Sequence, residues 1–79
     1  MTVNELKAKL KEIGIPDDWY HLEEKGNDDM QHCLKYADGE WSVYYSERGG
    51  KFDLSKFAAE AEACEEFLSR MKELQSYES

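Results

Sequence analysis

The chain has no long apolar run, and this absence argues against a membrane or secreted protein. Its 79 residues contain nothing close to the ~20 consecutive apolar residues that a membrane-spanning helix needs. The first residues also lack the apolar core of a signal peptide. We therefore expect a protein that stays in the cytoplasm.

Cysteine is scarce, and its placement indicates neither metal binding nor redox chemistry. Cys33 and Cys64 form no C-x-x-C motif, and their spacing from His21 and His32 matches no zinc signature. Reduced, separately buried thiols are the usual state of cytoplasmic cysteines. We expect the protein to hold no metal and no cofactor.

The side chains that catalysis needs are not arranged for it. Cys33 follows His32 directly, and adjacent residues of a strand point to opposite faces of a sheet. We expect His32 to be a hydrogen-bonded histidine of the core. The acidic doublets Asp17-Asp18, Glu23-Glu24 and Asp28-Asp29 lack the alternate spacing and distal glutamate of a calcium loop. The sequence therefore predicts a protein that is not an enzyme.

Basic residues are few, with 10 against 18 acidic ones, and the net charge is −8. Such a charge repels nucleic acid and anionic membranes, and it favours a basic protein partner. Residues 1–29 hold 8 acids and 4 bases, and residues 57–79 hold 6 acids and 2 bases. Residues 30–56 balance at 4 and 4. The acidity is thus concentrated in the first loop and on the last helix.

The length allows one domain, residues 1–79, that buries about 60–65% of its unfolded surface.

The first element of the chain is predicted to be a helix, because Thr2 and Glu5 have the spacing of a capping box. An apolar stripe at helical spacing follows, and Gly14 and Pro16 end the helix. The stripe consists of Val3, Leu6, Leu10 and Ile13.

Three strands are predicted next, at Trp19 to Glu24, Met30 to Tyr36 and Trp41 to Ser46. A polar turn at residues 26–29 separates the first two, and Asp38-Gly39 predicts a type I′ hairpin turn between the other two. That turn fixes the register. The predicted pairs are Tyr36–Trp41, Leu34–Val43 and His32–Tyr45 under the last helix, with Cys33–Tyr44, Gln31–Ser46 and Lys35–Ser42 on the opposite face.

Gly49-Gly50 predicts a second turn, and Lys51 to Leu54 a short edge strand. The closing helix is predicted to begin between Asp53 and Ala59 and to end near Gln75. Its apolar side consists of Phe57, Cys64, Phe67, Leu68, Met71 and Leu74, and its opposite side of Glu62, Glu65, Glu66 and Glu73. The predicted fold is α+β, an antiparallel meander of about four strands flanked by an N-terminal and a C-terminal helix.

Three phrases carry a resemblance to a known family. They are Trp-Ser-Val-Tyr-Tyr-Ser-Glu-Arg-Gly at 41–49, Phe-Ala-Ala-Glu-Ala-Glu-Ala-Cys-Glu-Glu-Phe-Leu at 57–68, and Gly-Ile-Pro-Asp-Asp-Trp-Tyr at 14–20. Across about residues 13–70 the chain resembles small bacterial immunity proteins of polymorphic-toxin systems, including those of contact-dependent growth inhibition. It departs from them at Ala58 and Ala59, which replace a capping residue, and at Glu66, which replaces an aromatic one.

The resemblance implies a protein that binds a cognate toxin domain and blocks its active site. Many such toxins are nucleases, which are basic because they hold a phosphate backbone. An acidic inhibitor then gains a fast, electrostatically steered association. The alternative is a small regulatory or adaptor domain whose protein partner is unrelated to toxins.

The residues expected to bind the partner form three groups. The acidic loop comes first, with Asp17, Asp18, Glu23, Glu24, Asp28 and Asp29, and the helix acids Glu62, Glu66 and Glu73 come second. The third is Tyr44, which is either an exposed aromatic anchor or buried beneath the N-terminal helix. Glu47 and Arg48 either anchor the turn by a surface ion pair or bind the partner, and the structural role is slightly preferred.

Overall fold

The computed structural model describes residues 1–22, 31–48 and 50–78. Its elements are α1 (Val3–Glu12), a 3₁₀ turn (Asp17–Trp19), β1 (Tyr20–Leu22), β2 (Gln31–Ala37), β3 (Glu40–Glu47), β4 (Gly50–Phe57) and α2 (Glu60–Glu78). The strands form one sheet in the order β1-β2-β3-β4. The predicted α+β fold, with one helix before and one helix after a four-stranded sheet in chain order, is confirmed.

The start of α1 is fixed by the predicted capping box. The Thr2 hydroxyl accepts a hydrogen bond from the Glu5 amide at 3.2 Å, and the Glu5 carboxylate accepts one from the Thr2 amide at 3.0 Å. The bond from the Thr2 amide holds the pKa of Glu5 below its ordinary value, because it favours the charged carboxylate. Leu6 and Leu10 are completely buried, as the apolar stripe predicts.

The β2–β3 hairpin has the predicted turn and register. Asp38 and Gly39 have φ angles of 53° and 78°, the positive values that a type I′ turn requires at both positions. All the predicted pairs occur, from Gln31–Ser46 at one end to Tyr36–Trp41 at the other. A single local turn therefore determines which side chains of both strands face the helices.

One apolar cluster joins both helices to the sheet. It includes Leu22, Leu34 and Val43 of the sheet, Leu6 and Leu10 of α1, and Ala63, Cys64, Phe67, Leu68 and Met71 of α2. The Val3 amide donates to the Glu60 carboxylate at 2.9 Å, and the Gln75 side-chain amide donates to the Ile13 carbonyl at 2.6 Å. The start of α1 therefore contacts the start of α2, and the end of α1 contacts the last turns of α2. The two helices lie side by side and run in the same direction.

The pairing of β1 with β2 is parallel, so the prediction of an antiparallel connection here is wrong. The alternation of Tyr20, His21 and Leu22 tells which side chains face the core, but it is the same for either strand direction. Trp19 lies in the 3₁₀ turn rather than in the strand. The polar turn predicted at 26–29 and the adjoining strand ends, Glu23, Glu24 and Met30, lie outside the described residues.

The last strand is longer than predicted, and Phe57 belongs to it rather than to the helix. β4 runs to Phe57, which lies opposite Trp41, and α2 begins only at Glu60. A bulge explains the error: Asp53, with φ at 54°, and Leu54 together lie opposite Tyr44. The extra residue shifts the alternation by one, so the pattern no longer has the period of a regular strand. The helix ends at Glu78 rather than near Gln75.

Candidate functional site: the groove between β4 and α2

The acidic loop is described only in part. Asp17 and Asp18 are exposed in the 3₁₀ turn. The Asp17 carboxylate accepts a hydrogen bond from the Tyr20 hydroxyl at 3.1 Å, and the Asp18 carbonyl accepts one from the Gln31 side chain at 3.1 Å. The other predicted acids of this loop, Glu23, Glu24, Asp28 and Asp29, lie outside the described residues.

Tyr44 is buried, with 2% of its surface exposed, so its interpretation as an exposed aromatic anchor is wrong. The N-terminal helix is not the reason, because α1 packs into the cluster on the opposite face of the sheet. Tyr44 lies in a buried row with Cys33 and His21, and the Lys51 ammonium stands 5.0 Å from its ring centroid. The centre of this face of the sheet is therefore buried.

The Glu47-Arg48 pair occupies the end of β3 and the turn after it. Arg48 has a left-handed backbone, with φ at 50°, and Glu47 pairs with Gly50 across the connection. Gly49, the other half of the predicted turn, lies outside the described residues. The left-handed geometry at Arg48 fits a structural role in reversing the chain.

The acids of α2 form an exposed row, as their spacing predicts. Glu62, Glu65 and Glu73 are exposed, and Glu66 is partly buried. Glu66 accepts an ion-paired hydrogen bond from the Arg70 guanidinium at 2.7 Å. We call Glu62, Glu66 and Glu73 the α2 acidic row. It faces away from the apolar cluster, and two of its members, Glu66 and Glu73, line a groove.

That groove lies between β4 and α2 and has a volume of about 560 Å³. Its walls combine charged, polar and apolar side chains from both elements, and a β2 residue completes them. The lining residues are His32, Asp53, Leu54, Ser55, Glu66, Arg70, Glu73, Leu74 and Tyr77. Its size is in the range of about 300–1,000 Å³ that is typical of ligand pockets.

Arg70 links the two walls of the groove. Its Nη2 donates to the Ser55 hydroxyl of β4 at 3.0 Å, while its Nε donates to Glu66 on its own helix. Asp53 and Glu73 are different: neither carboxylate has a hydrogen bond or ion pair within the described part of the chain. The groove thus contains one neutralised cation and two carboxylates that are open to a partner.

His32 lines the groove as a partly buried residue, and the prediction of a hydrogen-bonded core histidine is wrong. Its ring packs against Tyr45, with centroids 4.9 Å apart. Its Nδ1 is buried and has no hydrogen-bond partner among the described residues. Burial lowers the pKa of His32, and the nearby Arg70 charge lowers it further, while Asp53 acts in the opposite direction.

The lowered pKa predicts a stability that depends on pH. The folded state holds His32 neutral, whereas the unfolded chain binds a proton at pH values below about 6.5. The contribution of neutral His32 is therefore fully present above pH ~6.5 and is lost as the pH falls towards the lower pKa of the folded state. Urea unfolding between pH 7.5 and 5.0 should show this loss in the native protein.

The matched variant is His32→Phe, which keeps a ring against Tyr45 and cannot titrate. Its free energy of unfolding should change less between pH 7.5 and 5.0 than that of the native protein. The other charged groups around the imidazole, Asp53, Glu66, Arg70 and Glu73, are the same in both proteins. If the free energy of unfolding depends on pH identically in the two proteins, His32 does not contribute to that dependence.

Apolar side chains lie at the edge of the groove, and their exposure was not predicted from the sequence. Leu54 and Tyr77 are 45% and 77% exposed, and Phe52 on the same strand is 51% exposed. Leu54 was expected to end a short strand, and Tyr77 to lie beyond the helix. The signal that remained in the sequence was the odd spacing of Phe52, Leu54 and Phe57, which a bulge explains.

Within the described residues, no three His, Cys, Asp or Glu side chains are grouped as a metal ion would require. Cys33 and Cys64 are both buried, and neither is in a disulfide. No helix in the described part of the chain is long and apolar enough to cross a bilayer. Compared with protein-family models, with curated proteins and with solved structures, the chain matches none of them.

Proposed function

We propose that this chain is an immunity protein, a non-enzymatic inhibitor that binds a basic toxin domain in the cytoplasm. The observation that carries the proposal is the α2 acidic row beside a groove with exposed apolar edges. The resemblance over about residues 13–70 supports the class of partner, and the net charge of −8 supports its basic character.

The surface around the groove has the composition of a protein interface. Interfaces place aromatic and aliphatic anchors near the centre and charged residues around them. Here Leu54 and Tyr77 supply exposed apolar area, Glu73 supplies charge in the same groove, and Glu62 is exposed further along α2. We therefore place the toxin on α2 and β4, with the acidic loop as a second region that attracts the partner.

Electrostatic attraction suits an inhibitor of an intracellular toxin. A nuclease must carry a basic surface to hold its phosphate backbone, and an acidic inhibitor competes for the same surface. Complementary charge raises association rates by about 10- to 1,000-fold at low salt. A fast association limits the time during which newly made toxin acts on the cell.

The proposal is tested by expressing the chain with the C-terminal domain of a toxin encoded directly upstream of its gene. The expected result is growth in the presence of the toxin domain and a one-to-one complex after size exclusion. A second, unrelated immunity protein is the control and should rescue nothing. Loss of growth with no complex would contradict the proposal, and an upstream gene unrelated to toxins would favour the adaptor interpretation.

A further inference from the structure

The groove has the features of a pocket for one long, positively charged side chain. Asp53 on β4 and Glu73 on α2 offer carboxylates from its two walls, and neither is engaged by another described residue. Glu66 is also acidic, but Arg70 already neutralises it at 2.7 Å. The charge left in the groove is therefore negative.

The apolar part of the lining suits the stem of such a side chain. Lysine and arginine carry three or four methylene groups that gain from contact with apolar surface. Leu54, Leu74 and Tyr77 provide that surface in the same groove as the carboxylates. A short acidic side chain would be repelled, and a purely apolar one would leave both carboxylates without a counter-charge.

His32 adds a polar group that does not oppose a cation. Its Nδ1 is buried without a hydrogen-bond partner in the described structure, and a neutral imidazole nitrogen can accept from an N–H donor. Burial keeps the pKa of His32 low, so the ring carries no positive charge at pH 7. A second copy of this chain is a poor occupant, because two molecules of charge −8 repel each other.

We propose that the groove between β4 and α2 binds an arginine or lysine side chain of the partner protein, between the carboxylates of Asp53 and Glu73. This inference deepens the proposed function and rests on it for the identity of the partner. The contact can be measured without the toxin.

The experiment titrates the folded protein with blocked tripeptides, Ac-Gly-Arg-Gly-NH2 and Ac-Gly-Lys-Gly-NH2, at constant ionic strength. Chemical-shift changes should be saturable and confined to residues around His32, Leu54 and Glu73. A ligand of this size should bind with a dissociation constant on the order of 1–10 mM. The control peptide has citrulline, which keeps the shape of arginine without its charge, and it should cause no saturable shift.

Two variants with the same change in charge distinguish the groove from general acidity. Asp53→Asn with Glu73→Gln should weaken peptide binding by about 10-fold or more, because both counter-charges are removed. Asparagine tolerates the left-handed backbone at position 53. Asp38→Asn with Glu65→Gln removes two exposed acids outside the groove lining and should leave binding within about twofold, because exposed charges are screened.

Two results would overturn the inference. One is chemical-shift changes of equal size around all exposed acids, and the other is no saturable change with either cationic peptide. Its failure is separate from that of the proposed function. A toxin domain that binds the native chain and the Asp53→Asn, Glu73→Gln variant equally would refute the groove contact and leave the immunity function standing. Saturable peptide binding with no toxin complex would refute the immunity function and leave the groove as a cation pocket.

Discussion

Replacing Phe67 with alanine is expected to lower the free energy of unfolding by about 3–5 kcal/mol. Phe67 is completely buried at the centre of the cluster, and its ring meets that of Tyr20 edge to face with centroids 6.4 Å apart. The substitution removes apolar contacts and leaves a cavity that the surrounding helix and sheet fill only in part. For a chain of this size the total stability is about 4–12 kcal/mol, so much of the protein should unfold.

Urea unfolding followed by circular dichroism measures this loss, and two variants bracket it. Phe67→Leu keeps most of the volume and should cost clearly less than the alanine variant. Tyr77→Ala removes a ring that is 77% exposed, and it should change stability by no more than about 0.5 kcal/mol. An alanine variant at position 67 as stable as the one at position 77 would contradict the packing of α2 on the sheet.

Reversing the charge of Glu62 and Glu73 to lysine is expected to slow association with the toxin domain by about 10-fold or more at low salt. Both residues are exposed in the α2 acidic row, and exposed acids contribute little to stability, so the fold should be unchanged. The difference from the native chain should shrink as salt is added, because ions screen exposed charges. Stopped-flow association rates at several salt concentrations measure the effect.

A variant with Glu23 and Glu24 changed to lysine is the matched comparison, because the change in net charge is the same. Both variants should associate more slowly, since steering depends on the field of the whole surface. The dissociation rate should also rise, but only in the variant whose substituted pair contacts the toxin. We expect that effect from Glu62 and Glu73. Unchanged rates for both variants at every salt concentration would mean that the acidity serves only solubility.

The parts of the fold that the sequence predicts well depend on neighbouring residues. The capping box needs only Thr2 and Glu5, and the hairpin register needs only the Asp38-Gly39 turn and the alternation on either side of it. Each of these signals determines a geometry within a few residues. The buried positions of Leu34 and Val43 follow directly from that register.

The parts that sequence reasoning missed depend on distant contacts or on irregular backbone. The parallel direction of β1 depends on its pairing with β2, and the alternation around His21 carries no information about strand direction. The bulge at Asp53 moved Phe57 from the predicted helix into β4. The groove was missed for the same reason, because it forms only where the lengthened strand lies beside Arg70 and Glu73 of α2.

The bulge also has a consequence for how this sheet meets other chains. β4 lies at an edge of the sheet, and a flat edge strand of eight residues would be a template for further strands and for aggregation. The left-handed Asp53 and the extra residue of the bulge interrupt the regular row of backbone donors and acceptors and bend the strand. The sheet is thus protected against growth by strand addition, and β4 is left to make its contacts through side chains.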